Sequence, residues 1–454
     1  MIRDLLCDVA SRTKKRRRKQ SVADRLEQLL RNEAIELDET PSRSALQLPH
    51  PFPAPMSPFL AEKIITQITS PYHTILDPMV GSGTVVVVAS KLGRKSLGLD
   101  IDPLARLMVR VSVRGCDSHR IWAATACVLA DAFAYASDTK RLDKIFAKHF
   151  DSETKKFIRY WFPCRSRRHL LALWLAIDAL KSPKIHAVLA LAFSRTIIAK
   201  SAGASYAIDL PHTRPHKRAE KKVPDPLQTF PRHVDELLRR LAQSDSSSTV
   251  ATPLIRAGDA RRLPYGAKTV DLVLTSSPYA NAIDYVRAHK FSLVWMGYSV
   301  AQLASLRRRM IGAELGDRKV RPEFAWLEQV LPRATRKISR RCAILRRYFY
   351  DLDRVIRQIH RVLKNGGACV LVVGRSTLGT RIIDTPAILI RLAENRGFKH
   401  LGTRTRSINP LRRSLPFGTS RRLARGLGKR MSEEVVIGLA KLASKPNQRS
   451  RRVT

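Results

Sequence analysis

The residues best suited to chemistry begin with the segment 77–84, which reads Asp-Pro-Met-Val-Gly-Ser-Gly-Thr. The apolar residues just before it predict a short buried strand, and the run 85–92 after it predicts a helix. Gly81 and Gly83 permit positive φ angles and let the backbone come close to a ligand, which a Cβ atom would hinder. The helix presents free N–H groups at its start. The segment therefore predicts a ligand-binding turn in the first unit of a parallel α/β sheet.

Two carboxylates follow at places where further strands of such a sheet should end. Asp100 lies in the run Leu-Gly-Leu-Asp-Ile-Asp-Pro at 97–103, where an acid commonly binds ribose hydroxyls in doubly wound sheets. Asp259 follows the strand predicted over 253–257, and a carboxylate at the carboxyl end of a strand points into the ligand crevice. A turn or helix-cap aspartate is the alternative interpretation of Asp259.

A third motif follows the buried strand predicted over 270–274 and consists of Ser276, Ser277, Pro278 and Tyr279. With the Asp-Pro-x-x-Gly-x-Gly-Thr turn and the Gly-x-Asp-x-Asp run, it resembles the S-adenosylmethionine-dependent DNA amino-methyltransferases. In that family the Ser-Pro-Pro-Tyr form acts on the exocyclic amine of cytosine, whereas the Asp-Pro-Pro-Tyr and Asn-Pro-Pro-Tyr forms mostly act on adenine. A dinucleotide site would more usually show a third glycine in the turn.

The resemblance implies S-adenosylmethionine as the cofactor and gives roles to the candidate residues. Asp259, in Gly-Asp-Ala, would accept a hydrogen bond from the exocyclic amine of the cofactor's adenine. The run His-Pro-Phe-Pro-Ala at 50–54, a linker on composition alone, is similar to a family segment that covers the methionine end of the cofactor. The cofactor-binding residues implied are Phe52, Pro53, Asp77, Pro78, Gly81, Gly83, Thr84, Asp100 and Asp259.

The resembled chemistry explains the residue types of the third motif. An aryl amine is a poor nucleophile because its lone pair is delocalised, so acceptors must hold its nitrogen pyramidal. The Ser276 side chain and the Ser277 carbonyl are suitable acceptors, and Pro278 fixes the direction of that carbonyl. Tyr279 offers a flat face on which an extruded base can stack. The absence of cysteine from this segment argues against ring-carbon methylation through a thiolate adduct.

One residue departs from the resembled pattern, because Ser277 stands where the family usually has its first proline. The change loosens the turn and adds a hydroxyl. Either the turn tolerates it, since Pro278 and Tyr279 remain, or it alters substrate choice or weakens activity. The alternatives are an RNA base methyltransferase, a protein-glutamine methyltransferase and a catalytically silent nucleic-acid-binding homologue. A protein-glutamine methyltransferase would have little use for the large positive charge of this chain.

Composition indicates a polyanionic partner. The 454 residues contain 83 Lys and Arg against 38 Asp and Glu, a formal net charge of +45, which is hard to rationalise without nucleic acid. Six scattered cysteines without a Cys-x-x-Cys spacing predict a reducing compartment and no metal site. No segment reads as a signal peptide, and the apolar runs are too short to span a bilayer. We therefore expect a cytoplasmic protein that binds DNA, with RNA as the alternative.

The element pattern predicts an α/β sheet with a helical insertion subdomain, and the resemblance implies that this sheet is the Rossmann-like, seven-stranded sheet of the methyltransferases. The catalytic domain is predicted over 49–115 and 250–443, with a helix over 348–363 and a strand over 367–374. Four other segments are predicted around it: a basic N-terminal arm plus helix at 1–48, the helical insertion at 116–249, a basic insertion for target recognition at 286–347, and a basic tail at 444–454.

Overall fold

A computed structural model describes most of the chain. The described residues are 20–38, 48–52, 54–113, 115, 117–199, 203–208, 210, 215–244, 251–278, 285–313, 320–331, 336–378, 381–408 and 433–441.

Seven strands form one sheet, and four short strands form two separate pairs. The sheet strands are β1 (Thr74–Asp77), β2 (Lys95–Asp100), β5 (Leu254–Ala257), β6 (Val270–Ser276), β7 (Leu363–Val373), β10 (Phe398–Ser407) and β11 (Glu433–Lys441). The short pairs are β3 (Ala207–Ile208) with β4 (His216–Lys217), and β8 (Ser376–Leu378) with β9 (Arg381–Ile383).

The order of strands in the sheet is β10-β11-β7-β6-β1-β2-β5. Strands β5, β2, β1, β6 and β7 are parallel, and β11 runs antiparallel to both of its neighbours. The chain moves from β1 outward to β2 and β5, and then resumes on the other side of β1 with β6. Such a reversal opens a crevice at the carboxyl ends of the strands, where ligands bind in open α/β sheets. The predicted fold class is confirmed.

Fifteen α-helices occur in the described residues. They are α1 (Val22–Arg31), α2 (Pro58–Ile68), α3 (Thr84–Lys91), α4 (Pro103–Ser112), α5 (Ser118–Ser137), α6 (Thr139–His149), α7 (Ser152–Trp161), α8 (Cys164–Asp178), α9 (Pro183–Ile198), α10 (Pro226–Ser244), α11 (Tyr285–Leu293), α12 (Val300–Arg309), α13 (Leu327–Val330), α14 (Arg336–Val362) and α15 (Thr385–Asn395).

Both faces of the sheet are covered. On one face α1, α2 and α3 bury side chains such as Leu26 and Ile64. On the other face α14 and α15 bury Phe349 and Ile388. Each such side chain contributes about 1.5–3 kcal/mol on burial. Helix α1 lies so close to β11 that a Cβ on Gly438 would approach Leu30 Cδ1 to 2.3 Å. The helix predicted within the N-terminal arm therefore packs directly on the sheet.

A separate core joins the helices that follow β2. It contains residues of α5 to α12 together with Leu104 and Met108 of α4, so the helical layer is continuous with the seven-stranded sheet domain. Phe162 and Trp295 meet edge to face at its centre, with ring centroids 5.3 Å apart. Buried side chains from Val286 to Leu306 pack in this core, whereas those at 324–331 and 342–362 pack on the sheet. The single basic insertion proposed over 286–347 is thus divided between two cores, and the predicted domain boundaries stay predictions.

Among the described residues, no helix is both long and apolar enough to span a bilayer. The same part of the chain has no cluster of three or more side chains suited to hold a metal ion. No disulfide joins the four cysteines in it, which are Cys127, Cys164, Cys342 and Cys369.

Candidate active site

A cavity lies at the carboxyl ends of β1, β2, β5 and β6, where the strand order reverses. It encloses about 880 Å³, including the space at its open mouth. Ten of the thirteen predicted site residues line it: Phe52, Asp77, Pro78, Gly81, Thr84, Asp100, Asp259, Ser276, Ser277 and Pro278. Pro53 and Tyr279 lie outside the described residues. The sheet therefore brings together three motifs that are up to two hundred positions apart in the chain.

The glycine turn has the backbone that its sequence predicts. Gly81 has a φ of 50° and Gly83 a φ of 88°, both in the left-handed region that favours glycine. Gly83 does not line the cavity but is the N-cap of α3, and its N–H donates to the Val80 carbonyl at 2.8 Å. A Cβ on Gly81 would lie 3.0 Å from the Phe52 ring. The Phe52 ring thus lies over the turn, and it can occupy this position because residue 81 is a glycine without a Cβ atom.

Asp100 fixes this turn from the neighbouring strand. One carboxylate oxygen accepts the Gly81 N–H at 2.8 Å, and the other accepts the Asp102 N–H at 2.9 Å. Burial raises the pKa of Asp100 to about 6, and the charge of Asp102 also raises it, while the two backbone hydrogen bonds lower it. The carboxylate therefore shapes the turn besides facing the cavity, and its predicted ribose contact stays a prediction.

Asp77 ends β1 and is tied to β6. Its Oδ1 accepts hydrogen bonds from the Thr275 hydroxyl at 2.7 Å and from the Met79 N–H at 3.1 Å. Burial raises the pKa of Asp77 to about 7, against the lowering effect of these two hydrogen bonds. The residue joins the glycine turn to the strand that carries the third motif.

Asp259 lines the cavity as half of an ion pair that the sequence did not reveal. The Arg261 guanidinium donates from Nε to Asp259 Oδ1 at 2.9 Å and from Nη2 to Oδ2 at 2.6 Å. Its Nη1 donates to Asp351 at 2.7 Å. Burial would raise the pKa of Asp259, but the Arg261 hydrogen bonds hold it below its ordinary value. Asp259 keeps 30% of its side chain exposed, so a ligand can still reach it.

The third motif leaves β6 at the cavity and is held by a residue that sequence reasoning missed. The Tyr348 hydroxyl donates to the Pro278 carbonyl at 2.8 Å, and Ser277 Oγ lies 3.4 Å from the same hydroxyl. Burial raises the pKa of Tyr348 to about 12, so the hydroxyl stays a donor at neutral pH. The Ser277 side chain is therefore accommodated in the protein interior beside Tyr348. No pattern around Tyr348 could have shown this, because it lies seventy residues further along the chain.

Two other features complete the walls. Thr84 begins α3, and its hydroxyl shares a hydrogen bond with Ser82 at 3.1 Å. Arg309, Met310 and Ile311 line the cavity and lie within 286–347, the basic insertion predicted for target recognition. Their position was not predictable from charge alone, because such an insertion could equally lie on a solvated face.

The cavity fits S-adenosylmethionine by the character of its donors and walls. A glycine turn with bare backbone, an acid at the end of β2 and a second acid at the end of β5 offer contacts for a nucleoside. Apolar walls from Phe52, Met56 and Ile101 suit the remainder. The fold and this cavity together define the class of nucleotide-cofactor α/β enzymes that includes the methyltransferases.

Residues 9–107 match a family model described as DNA methylase. The chain is 23% identical over 323 residues to the Type II methyltransferase M.MjaII of Methanocaldococcus jannaschii, in an alignment that covers 54% of this chain and 61% of that protein. It is 21% identical over 387 residues to the Type II methyltransferase M.MvaI of Kocuria varians, in an alignment that covers 78% of this chain and 82% of that protein. Its match with the Nostoc Type II methyltransferase M.AvaI is 26% identical and spans 28% of this chain and 30% of that relative.

A solved structure described as a SAM-dependent methyltransferase from Methanosarcina mazei aligns over 84% of this chain and 98% of that chain, at 11% identity and a TM-score of 0.30. The fold assignment rests on the strand order and not on that alignment. The sequence matches support a DNA amino-methyltransferase of the N4/N6 family, with S-adenosylmethionine as cofactor, so the predicted resemblance is confirmed.

Proposed function

We propose that this protein transfers a methyl group from S-adenosylmethionine to the exocyclic amine of a base in DNA, cytosine N4 ahead of adenine N6. The observation that carries the proposal is the shared cavity: the glycine turn, Asp100 and the Ser276–Pro278 segment all line it. A cofactor held by the turn and a base presented by the motif would then meet in one pocket. Alignment and exclusion of water, with no covalent intermediate, would supply the rate.

The residues of the turn and strand ends would hold the cofactor. The backbone at Gly81 would approach it closely, Asp100 would bind the ribose, and Asp259 would accept from the adenine amine. Phe52 and Pro53 would cover the methionine end. When bound, the cofactor would supply an electrophilic methyl group on a sulfonium.

The third motif would hold the base amine. Ser276 Oγ and the Ser277 carbonyl would accept its two hydrogens, so that the nitrogen lone pair faces the cofactor. The Pro278 carbonyl already accepts a hydrogen bond from the Tyr348 hydroxyl at 2.8 Å. This contact supports the Ser277 carbonyl, and not the Pro278 carbonyl, as the acceptor for the base amine. Tyr279 would stack on the extruded base.

Arginines around the cavity supply contacts for a phosphate backbone. Arg309 lines the cavity wall, and Arg308 and Arg309 at the end of α12 are exposed. Such side chains position DNA on a protein without reading its sequence. Together with the net charge of +45, they support a nucleic-acid substrate at this mouth. A cytoplasmic location and a role in restriction-modification are part of the same proposal.

The preference for cytosine rests on the serine at the start of the motif, through the resemblance to the Ser-Pro-Pro-Tyr form. RNA base methylation is the alternative substrate choice. The hypothesis of a catalytically weak homologue depends on Ser277, the residue that replaces the usual proline. The Ser277 hydroxyl lies buried beside Tyr348, so its presence gives little reason to expect lost activity.

The test is modification-sensitive sequencing of DNA from cells that express the chain, compared with cells that express Asp100→Ala. We expect N4-methylcytosine at a defined sequence with the wild type. The variant should leave DNA unmodified, because it loses both the ribose contact and the support of Gly81. Calorimetric titration should show loss of S-adenosylmethionine binding by the same variant.

Each other outcome has a definite meaning. N6-methyladenine at a defined sequence would replace cytosine by adenine in the proposal. Methyl transfer to RNA but not to DNA would establish the RNA alternative. Cofactor binding by the wild type without transfer to either nucleic acid would identify a silent homologue.

A further inference from the structure

Among the residues that the structure describes, helix α11 is the first regular element after Pro278 of the Ser-Ser-Pro-Tyr motif. It begins at Tyr285, seven positions after Pro278. Two of its polar side chains, His289 and Ser292, are buried at 1% and 0% exposure. Buried polar groups require hydrogen-bond partners, so the partner of each side chain shows which element the helix is attached to.

The first attachment joins α11 to the acid segment after β2. His289 Nδ1 lies 2.5 Å from Asp102 Oδ2, and Asp102 is itself 2% exposed. Asp102 also caps α4 through the Leu104 N–H at 2.9 Å. Its own N–H donates to Asp100, the residue that holds Gly81. A continuous series of hydrogen bonds therefore runs from α11 to the glycine turn.

The electrostatics of this pair favour an ionised aspartate. Burial would raise the pKa of Asp102, but the charge and the hydrogen bond of His289 lower it below its ordinary value. Removal of the histidine would leave a buried carboxylate with less compensation, which is the costly half of breaking such a pair. The pair is thus fixed in one geometry.

The second attachment joins α11 to the segment that covers the turn. Ser194 of α9 donates to Ser292 Oγ at 2.8 Å, and Ser194 Oγ lies 2.9 Å from His50 Nε2. The ring of His50 reaches the Pro51 carbonyl with its other nitrogen, at 2.9 Å. The next residue is Phe52, whose ring lies over Gly81 and 6.0 Å from the ring of His289.

Packing alone does not require these groups. Phe291 and Trp295 already anchor the helix and the turn after it in the helical core, with 1% and 0% exposure. Apolar residues of similar volume at the positions of a buried ion pair often leave stability unchanged or higher. What the polar groups add is direction, because a hydrogen bond fixes distance and angle where an apolar contact does not. Both attachments lead to elements that line the cavity.

We propose that His289 is a positioning residue, which holds helix α11, the helix that begins seven positions after Pro278, at a fixed distance from the cofactor turn. The inference rests on the proposed function and names a residue outside the thirteen predicted from the sequence. His289 does not touch the reacting atoms in this proposal. It acts through Asp102, so its loss should affect the alignment of base and cofactor more than the binding of either.

Three variants test the proposal. His289→Leu removes the donor, and His289→Asn places an amide N–H near the position of Nδ1. His169→Leu is the matched control, because His169 Nδ1 lies 2.7 Å from Asp225 in the helical layer, away from the cavity. For each variant we would measure S-adenosylmethionine affinity by calorimetry, single-turnover methyl transfer to DNA, and the thermal midpoint.

We expect His289→Leu to slow methyl transfer about 100-fold, the loss that an ångström of misplacement can cause. Its affinity for S-adenosylmethionine should stay within about threefold of the wild type, which separates alignment from binding. His289→Asn should recover most of the rate. His169→Leu should lower the thermal midpoint without changing the rate. A His289→Leu rate equal to that of the control would overturn the inference.

Two further results are decisive. Should His289→Leu not fold, His289→Gln replaces it, because it keeps an amide donor but displaces it by one methylene; a wild-type rate for that variant would also overturn the inference. A wild type that methylates neither DNA nor RNA would refute the proposed function itself. An active wild type with an unaffected His289 variant would refute only the role of the histidine.

Discussion

Gly83→Ala is the substitution whose effect on the cofactor turn can be worked out most directly. Gly83 has a φ of 88°, and a left-handed conformation costs an alanine about 1–2 kcal/mol. The new Cβ would lie 2.6 Å from Val109 Cγ2 in the packed space between α3 and α4, and such overpacking costs about 1–3 kcal/mol. We expect the free energy of unfolding to fall by about 2–5 kcal/mol.

Gly297→Ala is the matched control for the first of these two effects. Gly297 has a φ of 90°, nearly that of Gly83, but no atom lies within 4 Å of the point that a Cβ would occupy there. Its substitution should therefore cost only the backbone strain, about 1–2 kcal/mol. The difference between the two variants then measures the clash with Val109.

Denaturant titration gives both free energies of unfolding, and Val109→Ala completes the comparison. Removal of the Val109 methyl groups should cost less in the Gly83→Ala background than in the wild type, with a coupling of about 0.5–3 kcal/mol. Gly83→Ala should also weaken S-adenosylmethionine binding, since α3 begins at the cavity, whereas Gly297→Ala should not. Equal losses of stability in the two glycine variants, or full additivity with Val109→Ala, would refute the reasoning.

Three other substitutions test single features of the site. Asp77 keeps its proton in the folded chain up to about pH 7, while the unfolded chain loses it near 3.8, so stability falls as pH rises between these values. Asp77→Asn should abolish that loss, and its advantage over the wild type in thermal or denaturant unfolding should grow with pH by up to about 4 kcal/mol; a constant difference would contradict the raised pKa. Tyr279→Ala should stop methyl transfer while sparing calorimetric cofactor affinity, and an unimpaired rate would count against base extrusion. Tyr348→Phe should slow methyl transfer and leave cofactor affinity unchanged, because the Pro278 carbonyl loses its donor; a wild-type rate would show that the donor is dispensable.

The local parts of the site could be predicted from the sequence because their geometry depends on neighbouring residues. Gly81 and Gly83 have the positive φ angles that their types favour. Asp100 and Asp259 lie at strand ends because the strands before them are short apolar runs with clear turn signals. Once the strand order is known, the same rule that places ligands at a switch point brings these residues together.

The remainder depends on contacts between distant segments. Helix α14 was expected to begin at 348 but begins at Arg336, because Cys342 and Leu345 continue the buried stripe of Tyr348 at intervals of three. The basic residues between them obscure that stripe in the sequence. Strand β7 begins at Leu363, four residues earlier than expected, directly where the helix ends. Tyr348 itself reaches the motif because this helix packs on the face of the sheet beside β6.

The helical insertion enters the chain after α4, between the second and third strands of the parallel run, where it could have formed a detached domain. It does not, because Leu104 and Met108 of α4 are part of its core and Ser194 joins its helix α9 to the segment that carries Phe52. Through Ser194 the insertion contacts both the segment over the turn and the helix after the motif. The cofactor pocket is therefore lined by residues of the sheet cores and of the helical core, and a substitution at their hydrogen-bonded junction should affect catalysis as well as folding.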